Sequence, residues 1–264
     1  MKNIETLIKN KNHIGETNIT GYGSLMTVIY YTNCKNIIVR FDKSGYEKNT
    51  NYRQFKLGSV KSPYCRSVHG VGYLGEGNYT SRINGEKSPQ YVAWNNMLQR
   101  CYSVKFQATR PTYIGCSVCE EWLNYQNFAK WYDENYYEIE SKSQRGMNLD
   151  KDILKKNNKI YCPEYCIYVP DSINLLFIKK NANRGNLPIG VNKEGKKYIA
   201  QCSVSDGGIS KQEQIGTFFT IEEAFNAYKY FKEEYIKQVA NEYRDIIPNK
   251  LFEALYKYKV EITD

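Results

Sequence analysis

The spacing of apolar positions changes several times along the chain, and the changes divide it. Between Gly15 and Pro63 the pattern is β. Residues 25–31 (L-M-T-V-I-Y-Y) and 36–41 (N-I-I-V-R-F) are rich in β-branched and aromatic side chains, with an Asn-Cys-Lys turn between them. Residues 52–55 predict a third short strand before Gly58, and residues 1–10 a short helical lead-in. The glycine-rich stretch 70–79 (G-V-G-Y-L-G-E-G-N-Y) has no strand-to-helix unit around it, so it reads as a flexible connector rather than a phosphate loop. Helical spacing begins at Tyr91, where Trp94, Met97 or Leu98, and Cys101 recur. It returns in a second helix over 118–132 through Trp122, Tyr125, Ala129 and Tyr132. Aromatic stripes at this spacing form core.

Residues 147–174 (M-N-L-D-K-D-I-L-K-K-N-N-K-I-Y-C-P-E-Y-C-I-Y-V-P-D-S-I-N) alternate differently. They predict a strand over 147–150, a polar turn over 155–159, a second strand over 165–169 and a helix from Asp171. Pro170 ends the second strand, having a fixed φ and no donor, and Asp171 suits a helix N-cap. If strand geometry extends to Asp152, then Asp150 and Asp152 share a side, because alternate residues do. With a helix-borne Asn174 they could face one divalent cation, magnesium by preference for hard oxygen ligands. The alternative is that Asp150, Asp152 and Asn158 only shape the turn.

A polar, basic linker (179–187) leads to residues 188–231. There, two or three strands run into Thr220, whose T-x-x-E spacing with Glu223 is a capping box. The helix beyond is amphipathic through Ala224, Ala227, Tyr228 and Phe231. It continues through the tail, breaks at Pro248 and resumes, with Leu251, Leu255 and Tyr258 making an apolar face for the sheet or a partner.

The fold class is therefore α+β. A small β-rich module (1–80) precedes a helical and strand–turn–strand–helix domain (81–180), and a three-stranded sheet packed on a helix closes the chain (186–264).

The formal charge of +9, spread along the chain, suits a polyanionic partner. Arg100 and Lys105 are candidate contacts for such a partner. Glu120 and Glu121 are either extra metal ligands or acids placed to suit a helix dipole. No leader or membrane-length apolar stretch is visible, which points to a cytoplasmic protein with reduced cysteines. Cys116-x-x-Cys119 and Cys162-x-x-x-Cys166 flank the 147–174 core, and four thiolates at such spacing could hold a structural zinc. Buried thiols are the competing reading.

The order N-x-D-x-D, then N-N-K, then Y-C-I-Y-V, then a helical Asn resembles the HNH endonucleases of bacteriophages and mobile introns. The stretch W-N-N-M-L-Q-R-C-Y followed by C-E-E-W-L-N-Y-Q-N-F-A-K-W resembles what precedes that core in phage proteins. The resemblance implies a ββα-metal finger that cuts DNA with magnesium, with Asp150, Asp152 and Asn174 as catalytic and metal residues. One departure stands out. The family ends its first strand in a histidine base; this chain has Asp150 there, and its only histidines, His13 and His69, lie far upstream. Either catalysis is reassigned, or the scaffold is inactive and acts as a regulator or as an inhibitor of a host defence protein.

The stretch P-I-G-V-N-K-E-G-K-K-Y-I-A-Q-C-S-V…I-G-T-F-F-T-I-E-E-A-F-N-A-Y looks like the APETALA or ethylene-response-factor domain, which phage HNH proteins also carry. That resemblance implies that the sheet enters the major groove of double-stranded DNA in a bacterial host cell. Tyr198, Ala200 and Cys202 match the core-facing positions. Asn192, Ile199, Gln201, Ser203, Gln212 and Gln214 match the DNA-facing ones. Asn and Gln in place of the family's arginines suit adenine edges.

Overall fold

The structure is a computed structural model that describes residues 13–139, 146–178, 185–206 and 209–264. The lead-in expected over 1–10 and most of the linker expected over 179–187 lie outside the described residues. The chain has an α+β fold with several small sheets and divides into two compact units, Met1–Glu134 and Asn135–Asp264. Of the three expected segments, 1–80 falls in the first unit, 186–264 in the second, and 81–180 spans the boundary.

In the first unit β1 (Thr17–Ile19), β2 (Leu25–Asn33), β3 (Asn36–Phe41) and β4 (Glu47–Thr50) form an antiparallel sheet in sequence order. Alternation places Met26, Val28, Ile37, Val39 and Phe41 in its core. The strand expected over 52–55 is instead a helix, α1 (Tyr52–Lys56). The Asn51 side chain accepts from the Gln54 N–H at 2.8 Å, and Tyr52 and Phe55 stand three apart, the spacing of one helix face.

A two-residue hairpin, β5 (Arg82–Ile83) and β6 (Glu86–Lys87), turns on Asn84-Gly85, both at positive φ. Ser88 then caps α2 (Pro89–Tyr102), so this helix starts ahead of Tyr91, with Pro89 in its first turn. After α3 (Val104–Thr109), the helix expected over 118–132 is found in parts. They are a short strand β7 (Ser117–Val118), α4 (Glu120–Leu123) and α5 (Tyr125–Asn135), parted at Asn124, which has left helical geometry. The aromatic stripe is core, as expected: Trp94, Trp122, Tyr125 and Phe128 are buried, and the Trp94 indole donates to the Trp122 carbonyl at 2.7 Å.

The stretch over 70–79 is not a flexible connector. Tyr73 exchanges backbone bonds with Leu123 and Tyr125, and the Gln126 amide donates to the carbonyls of Leu74 and Tyr79. Gly75 lies at φ +69, and a Cβ there would meet the Asn124 side-chain oxygen at 2.1 Å. Here the glycine permits close packing rather than mobility.

In the second unit β8 (Met147–Asp150) pairs antiparallel with β10 (Ile167–Pro170), with Asp150 opposite Ile167; a two-residue strand, β9 (Ile160–Tyr161), precedes β10. Helix α6 (Asp171–Leu175) follows at once. Its N-cap is Pro170 rather than Asp171, because the strand ends only there. Beyond it β11 (Val191–Glu194), β12 (Lys197–Asp206) and β13 (Ile209–Phe218) form an antiparallel sheet in that order.

The long helix α7 (Ile221–Glu242) begins at the expected capping box of Thr220 and Glu223 and serves both halves of this unit. Its first turns place Ala224, Phe225 and Tyr228 against Val191, Ala200 and Cys202 of the sheet. Its later turns place Ile236, Val239 and Ala240 against Ile153, Ile167, Val169 and Ile173. The chain breaks near Pro248, and α8 (Asn249–Lys257) buries Leu251 and Leu255 in this second core rather than on the sheet.

Candidate nucleic-acid interface and acidic site

The sheet has two unlike faces. Ala200 and Cys202 are buried against α7, and Tyr198 packs at the edge of the same core. Gly190 lies at φ +76 with the Tyr228 ring where a Cβ would stand, so this close approach requires glycine. The opposite face carries all six residues expected there. Asn192 is registered with Ile199, Gln201 with Gln214, and Ser203 with Gln212. None of the six is buried.

Between Ala200 and Gln201 the register shifts, leaving Ile215 as the extra residue on β13. That bulge brings Gln214, three residues before Thr217, onto Thr217's side of the sheet. Neighbouring side chains on this face are linked: the Gln212 amide donates to Ser203 Oγ at 2.6 Å, and the Gln214 amide reaches Thr217 Oγ1 at 3.5 Å. Amide and hydroxyl groups in ordered rows on an open face can bond base edges. Lys193, Lys196 and Lys197 are exposed at the β11–β12 end, and Lys211 on β13.

The acidic site is arranged otherwise than the sequence implied. Strand geometry stops at Asp150, so alternation does not govern Asp152. Instead Asp150 Oδ1 accepts the backbone N–H groups of Asp152 and Ile153, both at 2.8 Å, and folds the chain into a bend. Asp152 Oδ2 meets the Lys151 ammonium at 3.0 Å. Asn158, 8% exposed, fixes the far side of this loop by donating to the carbonyls of Lys151 and Ile160, both at 2.7 Å.

Burial, with the charge of Asp152 second, pushes the Asp150 carboxyl up to about 6, against its two backbone hydrogen bonds and Lys151. Asn174 is half-buried on α6, which packs on both β8 and β10. On the same side of β8 as Asp150, Asn148 donates to Asp171 Oδ1 at 3.1 Å.

Asp150 and Asp152, close enough to repel, offer oxygens of the kind that a divalent cation takes. The repulsion that raises Asp150 is what such an ion relieves, and Lys151 supplies part of that relief already.

Cys116 and Cys119 belong to the first unit and Cys162 and Cys166 to the second; Cys116 and Cys166 are buried, Cys119 and Cys162 half-buried. Among the described residues no three or more His, Cys, Asp or Glu side chains gather as a metal site. Arg100 is half-buried over the Tyr113 ring at 5.7 Å, while Lys105 is exposed. Glu120 pairs with Arg66 at 2.8 Å, and with Glu121 it opens the short α4.

Comparison with family models, with curated proteins and with solved structures yields no match. Sequence reasoning missed three residues on the open face: Lys197, Thr217 and Phe219. Alternation about the core-facing Tyr198 and Phe218 was the signal that could have found Lys197 and Thr217; Phe219 lies past the strand's end.

Proposed function

We propose that the chain is a DNA-binding protein of HNH-endonuclease type, from a phage or mobile element, that acts on double-stranded DNA in a bacterial cell. It grips the duplex with the open face of β11–β13 and presents the β8–β10–α6 segment to the phosphate backbone. The observation that carries this reading is the open face itself. Six side chains suited to base edges stand there in cross-strand rows, while α7 covers the other side. Side chains lying along neighbouring rows can follow successive base pairs in a major groove.

At the acidic site Asp150 takes the base role that a histidine holds in the resembling family. A carboxylate with pKa near 6 accepts a proton from water far better at neutral pH than an ordinary aspartate. Asp152 and Asn174 would hold magnesium, which would supply Lewis acidity at the scissile phosphate. Asn158 and the two N–H groups on Asp150 Oδ1 hold the loop so that the carboxylate keeps its orientation.

Nicking of supercoiled plasmid with magnesium tests this reading. Asp150→Ala and Asp152→Ala should abolish nicking and leave duplex binding intact. A wild-type chain that binds duplex but cuts under no divalent metal would contradict the catalytic part.

A second reading is favoured by one specific feature. Asp150 Oδ1 already caps a bend and Lys151 already pairs with Asp152, as expected if the acids serve only structure. On that reading the chain is an inactive scaffold acting as a regulator or an inhibitor of a host defence protein. A salt-resistant complex with a host protein and no cleavage would decide for it, because phosphate-driven binding weakens steeply with salt.

A further inference from the structure

The open face of the sheet is divided into two parts. Toward β13's first half it is polar, with Gln201 beside Gln214 and Ser203 beside Gln212. Toward the β11–β12 turn Ile199, registered with Thr217, and the exposed Phe219 just past the end of β13 add apolar groups among Asn192, Glu194 and Lys197. Lys197 precedes core-facing Tyr198 on β12 and so turns away from the core, and the Phe219 ring lies beside it. The Lys197 ammonium sits 5.2 Å from the Phe219 ring centroid.

Phe219 is 75% exposed. It occupies the position before the Thr220 N-cap, where an apolar residue often packs back on the fourth helical residue, here Ala224. Its exposure shows that most of the ring does not serve that purpose. The Lys197 ammonium over the ring places positive charge beside it.

We propose that Ile199, the Thr217 methyl and Phe219 form a strip that reads the C5 methyl groups of thymine in the major groove, next to adenines read by the glutamines. The inference rests on the duplex-binding reading and narrows its ligand to A·T-rich DNA carrying pyrimidine methyls. Thymine's methyl projects into the major groove, where apolar side chains are its natural contacts. The exposed lysines at this end lie where the flanking phosphates would run. An apolar strip beside them selects among duplexes, which charge alone does not.

The test compares a short alternating dA·dT duplex with its dA·dU counterpart, which differs only in lacking the methyls, by fluorescence anisotropy with the full chain. The wild type should prefer the thymine duplex by about fourfold for each methyl it buries. Phe219→Ala should lose most of that preference, with the thymine duplex weakened more than the uracil duplex. Thr217→Ser, which removes one methyl and keeps the hydroxyl, should lose about fourfold. Circular dichroism confirms that both variants are folded.

Equal wild-type affinity for the two duplexes overturns the strip and leaves duplex binding standing. Preference undiminished in both variants overturns it as well. Failure to bind either duplex at low salt overturns the underlying DNA-binding reading and this inference with it.

Discussion

Asp150 is where sequence, burial and chemistry meet most closely. Its carboxyl is raised to about 6 by burial first and by Asp152 second. An acid raised above its unfolded value binds extra protons in the folded state, so stability falls as pH rises from about 4 to about 6. Asparagine cannot ionise but still offers Oδ1 to the two bend N–H groups. Asp150→Asn should therefore flatten this pH dependence and raise the urea midpoint near neutral pH. Asp150→Ala also leaves those donors unpaired and should be about 1–3 kcal/mol less stable than Asp150→Asn at any pH. Parallel stability–pH curves for the wild type and Asp150→Asn would contradict the assignment. Lys232 makes the opposite case. It is buried near Cys202, and desolvation lowers its pKa, so its charge opposes folding until pH rises through the folded value. Lys232→Met keeps the volume and removes the charge, and thermal unfolding should show a gain of about 1 kcal/mol or more.

At the scale of elements, α7 is the piece on which the second unit depends. Its capping box contributes at one end, and Thr220→Ala should cost about 1 kcal/mol in chemical denaturation. Ile236→Ala, in the core shared with Ile167 and Leu251, should cost about 2–5 kcal/mol. Much of this was legible beforehand. Thr220 with Glu223, Pro248, the β2–β3 hairpin and the two strands before α6 each carry local signals strong enough to decide their own structure.

What was not legible depends on partners remote in sequence. The glycines over 70–79 could mean freedom or close packing. Only the positions of Asn124 and Gln126 decide for packing. Tyr52 and Phe55 fit either period when so few residues are seen, and Asn51 as an N-cap tipped them to helix. Asp152 was expected beside Asp150 by alternation, but the aspartate at 150 ends the strand by capping the bend that follows. On the sheet, alternation carried Ile199, Gln201 and Ser203 to the open face. The bulge at Gln201, invisible in the sequence, is what places Gln214 with Thr217.

For the whole molecule, a charge of +9 attracts any polyanion, so charge alone does not distinguish a sequence reader from a general binder. The sheet does distinguish them. Removing a lysine weakens all duplexes alike, whereas removing a row of amides weakens only those it reads. If Lys193, Lys196, Lys197 and Lys211 each neutralise one phosphate, the logarithm of affinity should fall against the logarithm of salt with a slope of about −3 to −4. Lys197→Ala should reduce that slope by about 1. The most direct measurement is the affinity of the full chain for an A·T-rich duplex, by anisotropy across a salt series, for the wild type and for Gln201→Ala with Gln212→Ala. The account predicts tight, salt-sensitive binding by the wild type and a loss of at least tenfold in the double variant, with the salt slope unchanged. An affinity indifferent to those two glutamines, or no duplex binding at low salt, would contradict it.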